Sequence, residues 1–258
     1  MLIQYVSDLH LNDFPDTKPF SDFVRTAAPV LVVAGDICPA DHPLYEPFIR
    51  YCSRNWKRVI VITGNHEYFC TVIPRNIDTI DKEIERICAP LPNVFFLLNS
   101  RSVVIDGVRF VGTTLWSDVN PAIWDEIKTK GDYMATFVGG QLRTPADTVA
   151  LFRRHKAELA AAIQTSKEPL VVVTHHLPSR TLVSPEYRGK PTESCYVSDC
   201  DELFKEPVKL WICGHAHRQG QFRVKSREGR DVPCVMNALG YASQAAETGI
   251  NTGAVINI

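Results

Sequence analysis

Six of the eight histidines fall inside four short segments of the chain, and carboxylates crowd the same places. In order, the chemically competent segments are Asp8-Leu9-His10, Gly35-Asp36, Gly64-Asn65-His66-Glu67, His175-His176 and Gly214-His215-Ala216-His217. The pooled donors are carboxylate, amide oxygen and imidazole, without thiolate, a set that suits manganese, iron, zinc or nickel. They are too many for one ion and suit two ions about 3.5–4 Å apart that share a bridging carboxylate. Any one of these short patterns arises by chance. All five in order are hard to explain as solvated loops or core histidines. Asp8 and His10 are two residues apart, so extended backbone would point both the same way, and His215 and His217 repeat the spacing. Gly35, Gly64 and Gly214 each precede a candidate ligand, where glycine permits positive φ or a close backbone approach.

Each segment directly follows a short apolar run: Leu2 to Val6, Val30 to Ala34, Val59 to Ile62, Leu170 to Val173 and Leu210 to Cys213. These runs lack clean alternation, as expected of strands buried on both faces. Further strands are expected at Val94 to Leu98, Val103 to Ile105, Val108 to Val111, Phe222 to Lys225 and Val232 to Met236, with Asp106-Gly107 as a hairpin turn. Ile73, Ile77, Ile80, Ile84 and Ile87 recur at helical spacing. A second helix is expected to begin at Thr144-Pro145 and to carry Val149, Phe152, Leu159 and Ile163 on one face. His155 lies near that face and reads as a core or border histidine. Strands alternating with helices imply an α/β fold, in which ligands bind beyond the carboxyl ends of the strands. Two long polar stretches, Thr113 to Thr144 and Pro178 to Ser194, remain as loops.

The ordered set resembles the calcineurin-like metallophosphoesterase superfamily, whose signature runs Asp-x-His, Gly-Asp, Gly-Asn-His-Asp/Glu, His, Gly-His-x-His. The match spans residues 8 to 217, and Asn237-Ala238-Leu239-Gly240-Tyr241 is similar to the C-terminal strand region of small bacterial-type members. The resemblance implies a four-layer αββα sandwich with a dinuclear metal centre at the carboxyl ends of the strands. It implies that Asp8, His10, Asp36 and His217 hold one divalent ion. Asp36, Asn65, His175 and His215 would hold the other, with Asp36 bridging and manganese the expected metal. The first histidine of the His175-His176 pair is taken as the ligand, which leaves His176 as a supporting or substrate-facing residue. The implied reaction is attack of a metal-bridging hydroxide on phosphorus, with His66 as the acid or transition-state stabiliser, since histidine can donate a proton near neutral pH.

Substrate class is read from departures. The second motif continues Gly35-Asp36-Ile37-Cys38 without the arginine that protein phosphatases of the superfamily place there. A small phosphodiester is therefore expected, with a phosphomonoester (a phosphoprotein included) as the alternative. Arg180, Arg188 and Lys190 of the 178–194 loop could clamp a terminal phosphate, Arg180 being the named candidate, although a solvated loop is the default for these residues and for Tyr187. His42 is expected at the surface as readily as at the site. The basic stretch from Arg218 to Arg230 reads as a solvated hairpin. A non-catalytic metal-binding scaffold is the reading from another class. It is disfavoured because every motif position carries a competent residue.

Composition closes off other classes. The chain has 258 residues, is 45% hydrophobic and 22% charged, and carries a formal net charge of −1. It reads as one phosphoesterase domain over 1–258, since no repeat or composition shift marks a boundary. Near-zero charge gives no ground for a nucleic-acid partner, and no apolar run approaches the roughly 18 residues of a membrane span. The start, Met1 to Val6, reads as a strand and not as a signal peptide. The eight cysteines contain no Cys-x-x-Cys pair, which suits reduced thiols and a cytoplasmic location. Oligomeric state is not legible.

Overall fold

A computed structural model describes residues 1–70, 73–99 and 101–258. Two sheets dominate. The first contains β1 (Leu2–Val6), β2 (Val30–Ala34), β3 (Arg58–Ile62), β4 (Val94–Phe96) and β13 (Val255–Asn257), in the order β13-β1-β2-β3-β4. The second contains β5 (Ser102–Ile105), β6 (Val108–Thr113), β9 (Leu170–Thr174), β10 (Val208–Ile212), β11 (Gln219–Lys225) and β12 (Asp231–Asn237), in the order β11-β12-β10-β9-β6-β5. A small ribbon of β7 (Phe137–Val138) and β8 (Gln141–Leu142) stands apart. The strands that precede the five motifs are central and run parallel to one another within each sheet: β1, β2 and β3 in one, β9 and β10 in the other. Their carboxyl ends therefore lie at one edge.

The alternation missing from the sequence is present in the packing. Ile3, Tyr5, Val32, Ile60 and Ile62 of the first sheet face Phe110, Val171, Val173, Leu210, Ile212 and Val235 of the second, forming an apolar layer between the sheets. The residues between them, including Leu31, Val33, Val59 and Val61, face outward into a second core. There α1 (Tyr45–Asn55) and α2 (Ile77–Cys88) cover the first sheet through Phe48, Ile49, Ile80 and Ile84. On the far side α4 (Pro145–Thr165) covers the second sheet through Phe152, Leu159 and Ile163. The result is the αββα sandwich expected. Both faces of each strand are covered, so both parities must be apolar. Thr144 caps α4 through a reciprocal capping box with Asp147, and Asp106-Gly107 joins β5 to β6 with positive φ at both residues.

Three expectations change. Ile73 does not extend α2: it is 65% exposed, and the helix begins at Ile77, after Pro74. The Thr113–Thr144 stretch is not an empty loop. It folds through α3 (Trp124–Ile127) onto its own small core of Val119, Ile123, Ile127 and Tyr133, packed on Val149 of α4. Nor is Pro178–Ser194 merely solvated, since it buries Leu182, Val183 and Glu193 and is cross-braced by side chains. Arg188 donates to the carbonyls of Val183 (3.1 Å) and Thr181 (3.3 Å), and Glu193 accepts from the Gly189 N–H (2.6 Å). No helix among the described residues is long and apolar enough to cross a membrane.

Candidate functional site

The segment after β12 stitches the two sheets together at the motif edge. Ser7 N donates to Asn237 O, and Gly240 N donates to Asp8 O at 3.0 Å. Around this seam the five motifs converge. Ligand-type atoms of Asp8, His10 and His217 lie within 4.8 Å of one another, as do those of Asp36, His175 and His215, and a third such group joins His10, Asp36 and His66. Asn65 completes the second set, its Oδ1 lying 3.0 Å from His175 Nε2. Asp36 stands between the groups, 3.2 Å from His175 and 3.9 Å from His10.

The backbone that achieves this is not extended. Asp8, His10, Asp36, His215 and His217 all take positive φ, between 42° and 66°. Left-handed residues curl each strand end into a tight loop, so backbone N–H groups also turn toward the carboxylates. His215 N donates to Asp8 Oδ1 (2.9 Å), and His66 N to Asp36 Oδ1 (2.8 Å). The glycines serve both tasks expected of them, and at Gly35, where a Cβ would collide with Gly64 N, the two coincide. Gly35 supplies positive φ (86°). Gly64 and Gly214 are required by proximity: a Cβ on Gly64 would collide with Asp36 Oδ1, and one on Gly214 would lie 2.6 Å from Asp8 Oδ2.

Electrostatics follow from burial. Burial raises the Asp8 carboxyl above its ordinary range. It acts the same way on Asp36, but the charges of His175, His66 and His10 outweigh it and hold Asp36 well below that range. Burial alone would lower His175; Asp36 and Asp8 instead raise it to about 10. Desolvation lowers His10 to about 3 and holds His215 well below the usual histidine range. Two buried carboxylates with imidazoles gathered round them are the environment of a cation. Divalent ions fit the donors. His10 Nδ1 is buried without a partner, and His10 Nε2 and His217 Nε2 face one another at 3.1 Å.

The two histidines of the adjacent pair separate clearly. His175 faces Asp36 and Asn65, with Nδ1 on the Ala34 carbonyl at 2.9 Å. His176 is turned away from the cleft. It is buried behind His215, its ring stacked at 4.0 Å and its Nδ1 3.2 Å from Thr114 O. His66 stands at the cleft wall, stacked on Phe69 (4.1 Å), with Nε2 3.2 Å from Tyr241 Oη. Arg180 does not line the cleft; its side chain is 74% exposed and lies 4.0 Å from Glu193. His42 sits elsewhere, its Nδ1 accepting from Leu44 N. Of the basic hairpin, Arg227 and Arg230 pair with Asp199, Glu202 and Glu206, while Arg218 reaches the cleft.

Several residues to which the sequence assigned no role of their own support the site. Glu67, wholly buried, accepts from the N–H groups of Asp36 (3.0 Å), Ile37 (2.8 Å) and Gly64 (2.7 Å), locking two motif loops together. Its place in Gly-Asn-His-Glu was the available signal. Ser7 donates to Asp8 Oδ2, and Gln244 Oε1 lies 2.6 Å from His217 Nδ1. Asp132 accepts from Asn65 Nδ2 (3.1 Å), which turns the Asn65 carbonyl toward His175. Behind Asp132 stands the buried Arg143, with its guanidinium 4.3 Å from the Trp116 ring and 4.6 Å from Tyr133. No local pattern announces Asp132 or Arg143, because both reach the site only through the fold of the 113–144 stretch.

Comparison with known proteins agrees with this geometry. Residues 1–219 match the family model described as calcineurin-like phosphoesterase. A protein of Acanthamoeba polyphaga mimivirus, L509, is 26% identical over 94% of this chain and 92% of its own length. Among solved structures, the phosphopantetheinyl hydrolase PptH of Mycobacterium tuberculosis superposes with a TM-score of 0.71 at 18% identity, covering 99% of this chain and 95% of that one. TT1561 of Thermus thermophilus superposes at 0.56 with 14% identity, over 92% and 88% of the two chains. With a family model spanning all five motifs and the motifs converging at one sheet edge, the chain belongs to the calcineurin-like phosphoesterases and is a phosphoric ester hydrolase.

Proposed function

We propose that the chain, acting as one domain, hydrolyses small phosphodiesters at this edge. Asp8, His10, Asp36 and His217 would hold one divalent ion and Asp36, Asn65, His175 and His215 the second, with manganese first among candidates. When bound, such ions supply Lewis acidity to the phosphoryl oxygens and lower the pKa of water. The chain's own residues do the rest. Asp36 lies within reach of both histidine groups, so it fixes their separation. Glu67, through three backbone N–H groups, keeps the Asp36 loop in register with the Asn65–His66 loop. Asp132 holds the Asn65 amide so that its oxygen faces inward. His66 is the proton donor to the departing oxygen: its Nε2 opens to the cleft, and the Tyr241 hydroxyl beside it steadies the ring.

One observation carries the choice of a diester. Among the described cleft-lining residues Arg218 is the one arginine or lysine, and its guanidinium is already engaged. It donates to Leu182 O (2.9 Å) and lies 4.7 Å over Phe222. A terminal phosphate dianion would thus find a single side-chain cation in the cleft, already partly committed elsewhere, whereas a monoanionic diester needs none. The test compares bis-p-nitrophenyl phosphate with p-nitrophenyl phosphate on protein loaded with manganese, then iron, zinc or nickel. Faster diester cleavage is expected, and faster monoester cleavage would overturn the preference. With its ion-paired hairpin and net charge of −1, the chain is better suited to a small phosphoester than to a nucleic-acid strand. A cytoplasmic setting suits its eight unpaired cysteines, six of them buried.

A further inference from the structure

The chain has eight tyrosines. Among the described residues three of them, Tyr187, Tyr196 and Tyr241, rank as exposed, at 43%, 36% and 37%. All three line the same cleft, whose volume is about 320 Å³. Scattered exposed rings need no explanation, but rings gathered at one concave site mark ligand contact. Tyr241 is accounted for by His66. Tyr187 and Tyr196 are not used by the chemistry described above.

These two rings continue a series that starts at the phosphoryl site. The His215 ring lies 5.3 Å from Tyr196, tilted by 38°, and Tyr196 lies 5.8 Å from Tyr187, tilted by 35°. The wall beside them is apolar, formed by Leu177, Val183 and Ala216. The platform is held from behind. Leu177 N donates to Tyr196 O (3.1 Å), Tyr187 N to Ser184 O (3.0 Å), and the Arg188 and Glu193 braces fix the loop between the rings. Little ordering is left to be lost when a ligand arrives. The opening also carries Glu186 and Glu247, offset by Arg218 in the cleft and by Lys190 Nζ 5.2 Å from the Tyr187 ring, so neither sign of charge dominates and an uncharged arm is accepted.

We infer that Tyr187 and Tyr196 form a subsite for a planar aromatic group, phenyl- or nucleobase-like, borne by an organic arm of the phosphoester. This rests on the phosphoesterase reading of the adjoining site and adds the class of substrate. The pair acts through ring faces and edges, so stacking and burial carry the affinity and the hydroxyls are dispensable.

Two measurements on manganese-loaded protein test it. The first is calorimetric binding of phenylphosphonate against methylphosphonate, whose carbon–phosphorus bonds are not esters. The second is kcat/KM for p-nitrophenyl phenyl phosphate against p-nitrophenyl methyl phosphate, which share a leaving group. The aromatic member is expected to win at least tenfold in both. Tyr187→Ala with Tyr196→Ala should bring both ratios to within twofold, and Tyr187→Phe with Tyr196→Phe should preserve them. Equal binding of the two phosphonates, or ratios that survive the alanine pair, would overturn the subsite. Tyrosine-dependent phenylphosphonate binding without hydrolysis of either ester would uphold the subsite and defeat the hydrolase reading. Hydrolysis of both esters without an aromatic preference would do the reverse.

Discussion

The same five strands build two regions of opposite character. Between the sheets, Ile3, Val32, Ile60, Val173 and Ile212 lie in regular β conformation, apolar and buried. One or two residues beyond the strand ends, Asp8, Asp36 and His175 are just as buried, at 1% exposure or less. There, however, the buried groups are ionisable, and at Asp8 and Asp36 the backbone is left-handed. Five of the nine non-glycine residues with positive φ among the described residues belong to this edge. Each such residue costs on the order of 1–3 kcal/mol, and each buried carboxylate forfeits its hydration. The interior stabilises the molecule, and the edge consumes part of that stability to hold donors where a cation and a phosphoester can use them. Burial by itself therefore says little about a residue's role; what is buried, and in which conformation, says more.

The largest effect that would break this contrast is at Asp36. Asp36→Ala should lower kcat/KM for a diester by about 10³-fold, roughly 4 kcal/mol, and cost at least one metal equivalent by elemental analysis. Near wild-type metal content would remove Asp36 from the bridging place proposed for it. On the interior side, Ile60→Ala should lose about 3 kcal/mol of unfolding free energy in denaturant titration through the cavity it leaves. Its activity per folded molecule should stay near wild type. If activity fell as far as stability, the two regions would not be separable.

Gly64→Ala sharpens the boundary between them. Its methyl would be driven onto Asp36 Oδ1 and to 2.7 Å from His175 Cε1. Turnover should fall about 100-fold, roughly 2.7 kcal/mol, while circular dichroism stays that of the folded chain. His66→Ala should lower turnover at least tenfold with metal content unchanged, and full-speed hydrolysis by that variant would exclude the proton-donor role.

The smallest effect concerns a histidine of the interior. His155 on α4 is 4% exposed, and burial, then the Arg154 charge, lowers it to about 3. Its folded pKa is thus depressed below the unfolded value near 6.5. The stability contributed by the neutral ring is present above pH 6.5 and is lost as pH falls toward 3. Between pH 7 and 5.5 wild type should lose about 1 kcal/mol more than His155→Leu. Parallel loss in the two proteins would mean that His155 is protonated in the fold.

The sequence made the centre legible because each motif is local. A strand, a turn and its donors occupy at most ten consecutive residues, and hydrophobic runs without alternation already said that both strand faces are covered. Helix α4 was equally readable from Thr144-Pro145 and its apolar face. Ile73 misled because the 3–4 spacing continued across Pro74, where the backbone could not follow. Extended backbone at Asp8–His10 and His215–His217 was the wrong expectation, because spacing alone does not distinguish a strand from a left-handed curl.

What the sequence determined by itself is therefore the candidate donor set, its order along the chain and the strands that carry it, since these depend on residue type and near-neighbour geometry. What only the tertiary structure decided is which groups meet across the chain. Asp132 turns the Asn65 amide from 67 residues away, Tyr241 meets His66 across 175 residues, and His175 faces the carboxylates while His176 turns its back. Tyr187 and Tyr196 likewise became a shared platform only when their loop was braced beside His215. Contacts between distant segments are fixed by how two sheets and their covering layers pack, and no local spacing encodes that packing.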